Sequence, residues 1–310
     1  MAKIDIYYHP DALLHLNSEE HPESPDRLRH AHHVLEKDEL LSQQLTWHEP
    51  TPIHRDKLLP AHTLQFVDEL FDRSPSVGYE VLDEDTTMNP HSLQASLLAA
   101  GALESACQQS LAQPGNIQFC LSRPPGHHAE SDKAMGFCLF NAIAIAALQC
   151  QEQGMKVVVV DFDVHHGNGS EAILANKKDI YFFSSFEHPL YPFSPLEPMA
   201  KNIFKFPLDK SSGSKAMRAL YQAKVFPEIA KIKPDIILIS AGFDAHQSDP
   251  LAGLNWQEED YYWLCSHLAE LAHQYGQGRL VSVLEGGYNV AALAKSIQAH
   301  LRGLIGSKAC

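Results

Sequence analysis

The sequence predicts an α/β fold, with one domain over residues 1–310, a mostly parallel sheet flanked by helices, and the functional site at the C-terminal ends of the strands. Three observations predict it. Six short apolar segments rich in β-branched residues recur along the chain, and helix-period segments stand between most of them. Four of the six run directly into His, Asp or Tyr, and in open α/β sheets ligands bind outside the carboxyl ends of the strands. No repeat, low-complexity tract or Pro/Gly-rich linker divides the 310 residues.

Residues 3–8 (KIDIYY) alternate and read as the first strand; a loop with His9, His15 and His21 follows and ends in HPESPDRL. Ser24-Pro25 opens a helix with proline at its first position, running through Leu28, Ala31, Val34 and Leu35. Arg27 falls in its first turn, where a cation opposes the helix dipole, so it is either a surface residue or one with an interior partner. Residues 56–71 read as helix, with His62 among apolar neighbours, and 81–90 (VLDEDTTMNP) as a loop carrying three acids. A long Ala/Leu-rich helix takes 92–111, with Ser92 as its N-cap. The remaining strands are 117–122, Val157–Asp161, 180–186, 236–240 and Leu280–Leu284. Helices at 139–153, 170–175, 215–231 and 257–275 separate most of them, and an amphipathic helix at 290–305 follows.

Composition narrows the function classes. With 45% hydrophobic and 20% charged residues the chain can bury a large core. A formal charge of −14 without any basic tract argues against nucleic acid as partner and suits a cationic substrate. The six cysteines show no C-x-x-C spacing, several lie in apolar segments, and free buried thiols in a reducing compartment are expected. The first residues lack the apolar core of a signal peptide, and no apolar run reaches the roughly 18 residues of a membrane span, so a cytoplasmic protein with no membrane partner is expected.

The chemistry concentrates in residues 157–169, VVVVDFDVHHGNG. Asp161, Asp163 and His165 alternate as the strand runs out, which in extended backbone points all three to one side. The 236–240 strand leads to AGFDAHQSDP with Asp244. Asp163, His165 and Asp244 carry −2 against a divalent ion and leave positions open for water and substrate, as in a catalytic site. Zinc suits such a set and would acidify a water and polarise a carbonyl; Fe(II), Co(II) or Mn(II) would also be accepted. The 117–122 strand leads to RPPGHHAE, whose His127 and His128 offer acid–base chemistry, with Asp161 and Asn168 as candidate orienting groups. Leu280–Leu284 leads to EGGY, where Tyr288 is placed to donate to a developing oxyanion. Any one of these stretches could be an ordinary polar loop; four strands delivering such residues to one edge point to a site.

Together RPPGHH, GFC, DFDVHHGNG, SAGFDAH and EGGY resemble the zinc-dependent histone deacetylase family, over most of the chain from HPESPDRL to EGGY. The resemblance implies the arginase-like α/β fold and hydrolysis of an N-acyl amide, first of all acetyl-lysine in a protein or peptide, with acetylpolyamine as the alternative. It implies zinc on Asp163, His165 and Asp244, His128 as general base and acid beside His127, and Tyr288 on the substrate carbonyl. Gly136 and Phe137 match the wall of an acyl-lysine tunnel, whose second aromatic wall is Phe193 or Tyr191. Potassium beside the zinc would be held by Asp161, Asp163, His165 and Ser184, and Asp85 matches an acid at the rim that holds substrate backbone amides. Asn168 stands where class I enzymes carry an aspartate, which makes the chain class II-like and similar to prokaryotic-type histone deacetylase-like amidohydrolases. Leu251 stands where acetylpolyamine-specialised members carry glutamate, while FEHPLYPFSP departs from the usual rim loop and leaves the substrate open. A two-manganese ureohydrolase would need more bridging carboxylates, and a non-catalytic acetyl-lysine binder a broken ligand or tyrosine position; the sequence has neither.

Overall fold

The computed structural model describes residues 3–18 and 20–306. Its main sheet has eight strands, all parallel: β1 (Ile4–Tyr7), β2 (Leu45–His48), β5 (Ile117–Cys120), β6 (Val157–Asp161), β7 (Ile180–Glu187), β8 (Ile203–Leu208), β9 (Ile236–Ala241) and β10 (Leu280–Leu284). They lie in the order β2-β1-β5-β10-β9-β6-β7-β8, and a small antiparallel pair, β3 (Glu80–Asp83) and β4 (Thr86–Met88), stands apart. From β5 the chain jumps three places to β6, builds outward to β8, then returns to fill the gap with β9 and β10. The four strands expected to deliver functional residues, β5, β10, β9 and β6, are therefore contiguous at the sheet centre.

The valine run of β6 shows why the sheet forms. Val158 and Val160 join a core against α1 (Asp26–Lys37), α8 (Glu258–Gly276) and α9 (Val290–Leu304), through Leu28, Leu268 and Ile297 among others. Val157 and Val159 face the other way, into a core with α3 (Ser92–Ala112) and α4 (Ala142–Glu152), through Leu103 and Ile143. A strand covered on both faces has no solvated side to alternate towards, hence four valines in succession. Each such side chain is worth about 1.5–3 kcal/mol on burial.

Both sheet edges differ from expectation. β2 (LTWH) and β8 (IFKFPL) are only partly buried, and β8 carries Lys205 and Pro207, which blur an apolar strand pattern. The acid-bearing loop at 81–90 contains the β3–β4 pair instead, with a register shift between Val81 and Asp83. The 56–71 helix resolves into a 3₁₀ turn (Arg55–Leu58) and α2 (Leu64–Asp72), which Thr63 caps by accepting from the Phe66 N–H. Ser92 is the first residue of α3 rather than its cap, and its Oγ accepts from the Asn89 N–H. The 215–231 helix is broken into α6 (Ser214–Leu220), a π turn (Tyr221–Val225) and α7 (Phe226–Ile232). α5 (Asn168–Leu174) starts two residues earlier than expected, which sets Asn168 at its N-terminal end. Cys107, Cys120, Cys138, Cys150 and Cys265 are free and buried; Cys310 lies outside the described residues. No described helix is long and apolar enough to cross a membrane.

Candidate active site

At the end of β6, Asp161 bonds back to the chain, its Oδ1 accepting from the Asp163 N–H at 3.1 Å, and the turn brings Asp163 and His165 inward. The loop after β9 brings Asp244 opposite them, and the three ligand atoms lie within 4.8 Å of one another, all three residues buried. Backbone anchors both carboxylates: Asp163 Oδ2 accepts from Gly286 N–H at 2.8 Å and its Oδ1 from His165 N–H at 2.9 Å, and Asp244 Oδ1 accepts from Val164 N–H at 2.9 Å. Asp163 Oδ1 and Asp244 Oδ2 each stand 3.1 Å from His165 Nδ1. A Cβ on Gly286 would sit 2.1 Å from Asp244 Oδ2 and 2.6 Å from Asp163 Oδ2, so only glycine lets this loop close over both carboxylates.

This donor set fits a divalent cation. Two fully buried carboxylates are costly without positive charge, and the chain supplies an imidazole nitrogen rather than a lysine or arginine between them. The strain shows in the titration of the group. Burial and the Asp163 charge push the Asp244 carboxyl up to about 7. Burial opposes protonation of His165, yet hydrogen bonds and charge from Asp163 and Asp244 outweigh it and raise that ring to about 10.

β5 delivers the histidine pair. His127 Nδ1 donates to Asp161 Oδ2 at 3.0 Å, and His128 Nδ1 pairs with Asn168 Oδ1 at 2.7 Å, the two partners expected from the sequence. The rings lie 4.0 Å apart at their centroids. Burial works against charge on His127, but Asp163 and Asp161 raise it to about 10. Burial, with His127 and His165 as positive neighbours, holds His128 well below the usual imidazole range. The two adjacent rings thus sit in opposed environments, His127 against carboxylates and His128 against two other imidazoles.

A cavity of about 210 Å³ leads to this cluster, lined by Asp85, His128, Gly136, Phe137, His165, Leu190, Tyr191, Leu251 and Tyr288. Gly136 has φ 57°, and a Cβ there would meet His128 Cδ2 at 2.5 Å, so the wall can approach the histidine only as glycine. The wall is pinned from the β3–β4 hairpin: Asp85 Oδ1 accepts from Gly136 N–H at 3.1 Å and Thr86 Oγ1 from Phe137 N–H at 2.9 Å. Phe137 meets Tyr288 edge-on, centroids 5.8 Å apart, and Tyr191 meets His128 edge-on at 5.2 Å. Burial pushes the Tyr288 phenol well above its usual range, so it remains a hydrogen-bond donor. Phe193 does not line the cavity. Its backbone turns left-handed (φ 58°) and the residue is 72% exposed, so of the two aromatic candidates it is Tyr191 that lines the cavity with Phe137. Ser184 lies beside Asp161 in the β6–β7 register, fully buried, with its Oγ 3.0 Å from His166 Nδ1.

Several supporting residues escaped the sequence reading. Glu285, directly after β10, accepts from the N–H groups of Gly126 (2.7 Å) and His127 (3.2 Å) and from Ser240 Oγ (3.1 Å), so it fixes the loop that carries both histidines. Arg27 has the interior partners: fully buried, it donates to the carbonyls of Gly287 (2.7 Å) and Glu285 and lies 5.0 Å from the Tyr288 ring centroid. Glu23 pairs with Arg27 at 2.9 Å and accepts two bonds from Arg123, whose remaining donors reach the carbonyls of Ala12, His15 and Glu23. The available signal was position: Glu285 closes an apolar strand as Asp161 does, and Glu23 and Arg123 sit inside the motifs HPESPDRL and RPPG.

A buried two-carboxylate, one-imidazole cluster beneath an apolar cavity, with a base and a phenol beside it, defines a hydrolase of amide bonds. Comparison with known proteins agrees: the histone deacetylase domain matches residues 21–304. Histone deacetylase 14, chloroplastic, of Arabidopsis thaliana is 34% identical, over 99% of this chain and 78% of its own. The histone deacetylase-like amidohydrolase of Pseudomonas aeruginosa is 32% identical, over 87% of this chain and 73% of its own. The solved HDA15 HD domain superposes with a TM-score of 0.92 at 30% identity, covering 100% of this chain and 90% of that one, which places the sheet in the deacetylase/arginase-like fold. The chain belongs to the histone deacetylase family.

Proposed function

We propose that the chain is a zinc-dependent deacetylase that hydrolyses the acetyl amide of Nε-acetyl-lysine in proteins. The observation that carries this reading is the apolar cavity of about 210 Å³, lined by Phe137, Leu190, Tyr191 and Leu251, that reaches His128, His165 and Tyr288. Zinc held by Asp163, His165 and Asp244 would supply a Lewis acid for the acyl carbonyl and acidify the attacking water. His128, neutral and tied at Nδ1, takes that water's proton at Nε2 and returns it to the departing amine. Asp161 orients His127 beside it. Tyr288 donates its hydroxyl proton as a hydrogen bond to the oxyanion, and Arg27 fixes the backbone that carries it. Gly136, Phe137 and Leu251 would frame the acyl-lysine chain, and the presence of Asp85 in the cavity lining supports a role in holding substrate backbone amides. The buried Ser184, paired with Asp161 in the β6–β7 register, supports a potassium ion held with Asp163 and His165 as structural cofactor, and the buried free thiols support a reducing, cytoplasmic setting.

The charge of −14 supports a second reading, the same chemistry on an acetylpolyamine. The test is kcat/KM of the zinc-loaded protein on an acetyl-lysine peptide and an acetylpolyamine, side by side, repeated with Leu251→Glu. Preference for the peptide, reduced in the variant, supports protein deacetylation; a wild-type preference for the polyamine overturns it.

A further inference from the structure

The tautomer of His128 decides whether it can act as a base, because Nε2 must carry the free lone pair while Nδ1 carries the proton. Its partner is an amide, and an amide can present either an acceptor or a donor. Asn168 Nδ2 lies 2.7 Å from Glu130 Oε1 and 3.4 Å from Met135 Sδ. Both are acceptors, and a carboxylate offers no proton in return. The amide nitrogen is committed to them, so Oδ1 must be the atom facing His128, and His128 Nδ1 must be the donor in the 2.7 Å contact. Glu130 is itself held at both ends of its peptide: its N–H donates to the Lys133 carbonyl at 2.9 Å, and its carbonyl lies 2.9 Å from His62 Nδ1. Because the Asn141 N–H donates to His62 Nε2 at 3.0 Å, His62 must donate through Nδ1, which makes the second contact a true hydrogen bond.

We propose that Glu130 is a positioning residue that sets the orientation of the Asn168 amide and, through it, the proton-accepting tautomer of His128. The inference rests on the assignment of His128 as the base. The relay carries its carboxylate one residue further out than one in which an aspartate meets the imidazole directly. The chain spans Asn141, His62, Glu130, Asn168 and His128, so the geometry of the base depends on groups that touch no substrate.

Three variants of the zinc-loaded protein separate this role from a packing role. Glu130→Gln keeps an acceptor for Asn168 and is expected to hold kcat within a few fold of wild type. Glu130→Ala removes the acceptor, and kcat should fall about 10–100-fold, the usual effect of losing an outer hydrogen-bond partner, with KM little changed. Glu130→Lys offers only donors, favours the flipped amide, and should lower kcat at least as far while thermal stability and zinc content stay near wild type. The same proteins, labelled at histidine with ¹⁵N, read the tautomer without turnover: wild type should show the His128 proton on Nδ1, and Glu130→Lys should move population to the Nε2–H form. A wild-type proton on Nε2, or full kcat with an unmoved tautomer in both Glu130→Ala and Glu130→Lys, overturns the proposal. Should the protein lack activity on acyl-lysine and acetylpolyamine alike, the substrate reading fails while the ¹⁵N result still decides the role of Glu130.

Discussion

Replacing Tyr288 with phenylalanine removes one oxygen and little else. The ring keeps its edge contact with Phe137, at a centroid distance of 5.8 Å, and its face towards Arg27 at 5.0 Å, so the cavity wall should survive. The backbone beneath is fixed by other groups, with Arg27 on the Gly287 carbonyl at 2.7 Å and Asp249 Oδ2 accepting from the Tyr288 N–H at 2.7 Å. What disappears is a donor aimed at charge that develops only in the transition state. Loss of one such donor costs about 2.7–4 kcal/mol, which at about 1.4 kcal/mol per decade lowers kcat roughly 100- to 1,000-fold. Because the substrate's amide oxygen carries far less charge before attack, KM should move by no more than a few fold. The assay is steady-state turnover of an acetyl-lysine peptide by zinc-loaded wild type and Tyr288→Phe, with thermal melts of both. A variant that keeps kcat within a few fold, or whose entire loss lies in KM, would refute the oxyanion role.

Three further outcomes follow from the geometry. Glu23→Gln leaves the buried guanidinium groups of Arg27 and Arg123 short of their counter-charge and should cost about 3–5 kcal/mol in urea unfolding; a loss under about 1 kcal/mol would contradict the assignment of Glu23 as their anchor. Burial holds His62 near 4 and His300 near 3, against 6.5 when unfolded, so the unfolded chain binds more protons below pH 6.5. Their contribution is complete above pH 6.5 and is lost as pH falls through about 4 and about 3 respectively, on the order of 3 kcal/mol for His62 and 5 for His300. His62→Gln should therefore flatten the fall of unfolding free energy between pH 6.5 and 4, and an unchanged slope would count against a neutral His62. Titrating chelator-treated protein with Zn²⁺ should raise its melting temperature, by about 2.7 kcal/mol of stability at 100 times Kd, and Asp244→Asn should abolish most of the rise. An equal rise in that variant would place the ion elsewhere.

The sheet centre was legible because both faces of β6, β9 and β10 are covered, and continuous apolar runs advertise that state. The edge strands β2 and β8 were not, since Thr46 and Pro207 meet solvent and Lys205 is buried only through its ion pair with Glu171, so none of the three carries an apolar signal. Asp161, Asp163 and His165 could be singled out from their spacing at a strand end, although β6 stops at Asp161 and it is the turn after it that brings Asp163 and His165 inward. His127 with Asp161, and His128 with Asn168, come together as expected. Phe193 could not be placed, because a left-handed residue in an irregular loop sends the ring outward where a residue count would send it inward. Arg27 stood out by its place in a first turn, but its partners and those of Glu23, Arg123 and Glu285 could not be named: most lie 100 to 260 positions away, a distance over which local pattern carries no information.

The bond from Arg27 to the Gly287 carbonyl joins positions 260 apart. Closing so large a loop forfeits chain entropy that only the finished neighbourhood returns, and contacts of this span are the slow ones in folding. Emergence from the ribosome sets a further limit: the arginine is made some 260 residues before the tyrosine loop it steadies. The sheet centre faces the same delay, because β9 and β10 fill the gap between β5 and β6 only after both have been synthesised. The catalytic centre therefore cannot assemble until β10 and the tyrosine loop behind it have been made, and a growing chain that still lacks them is inert.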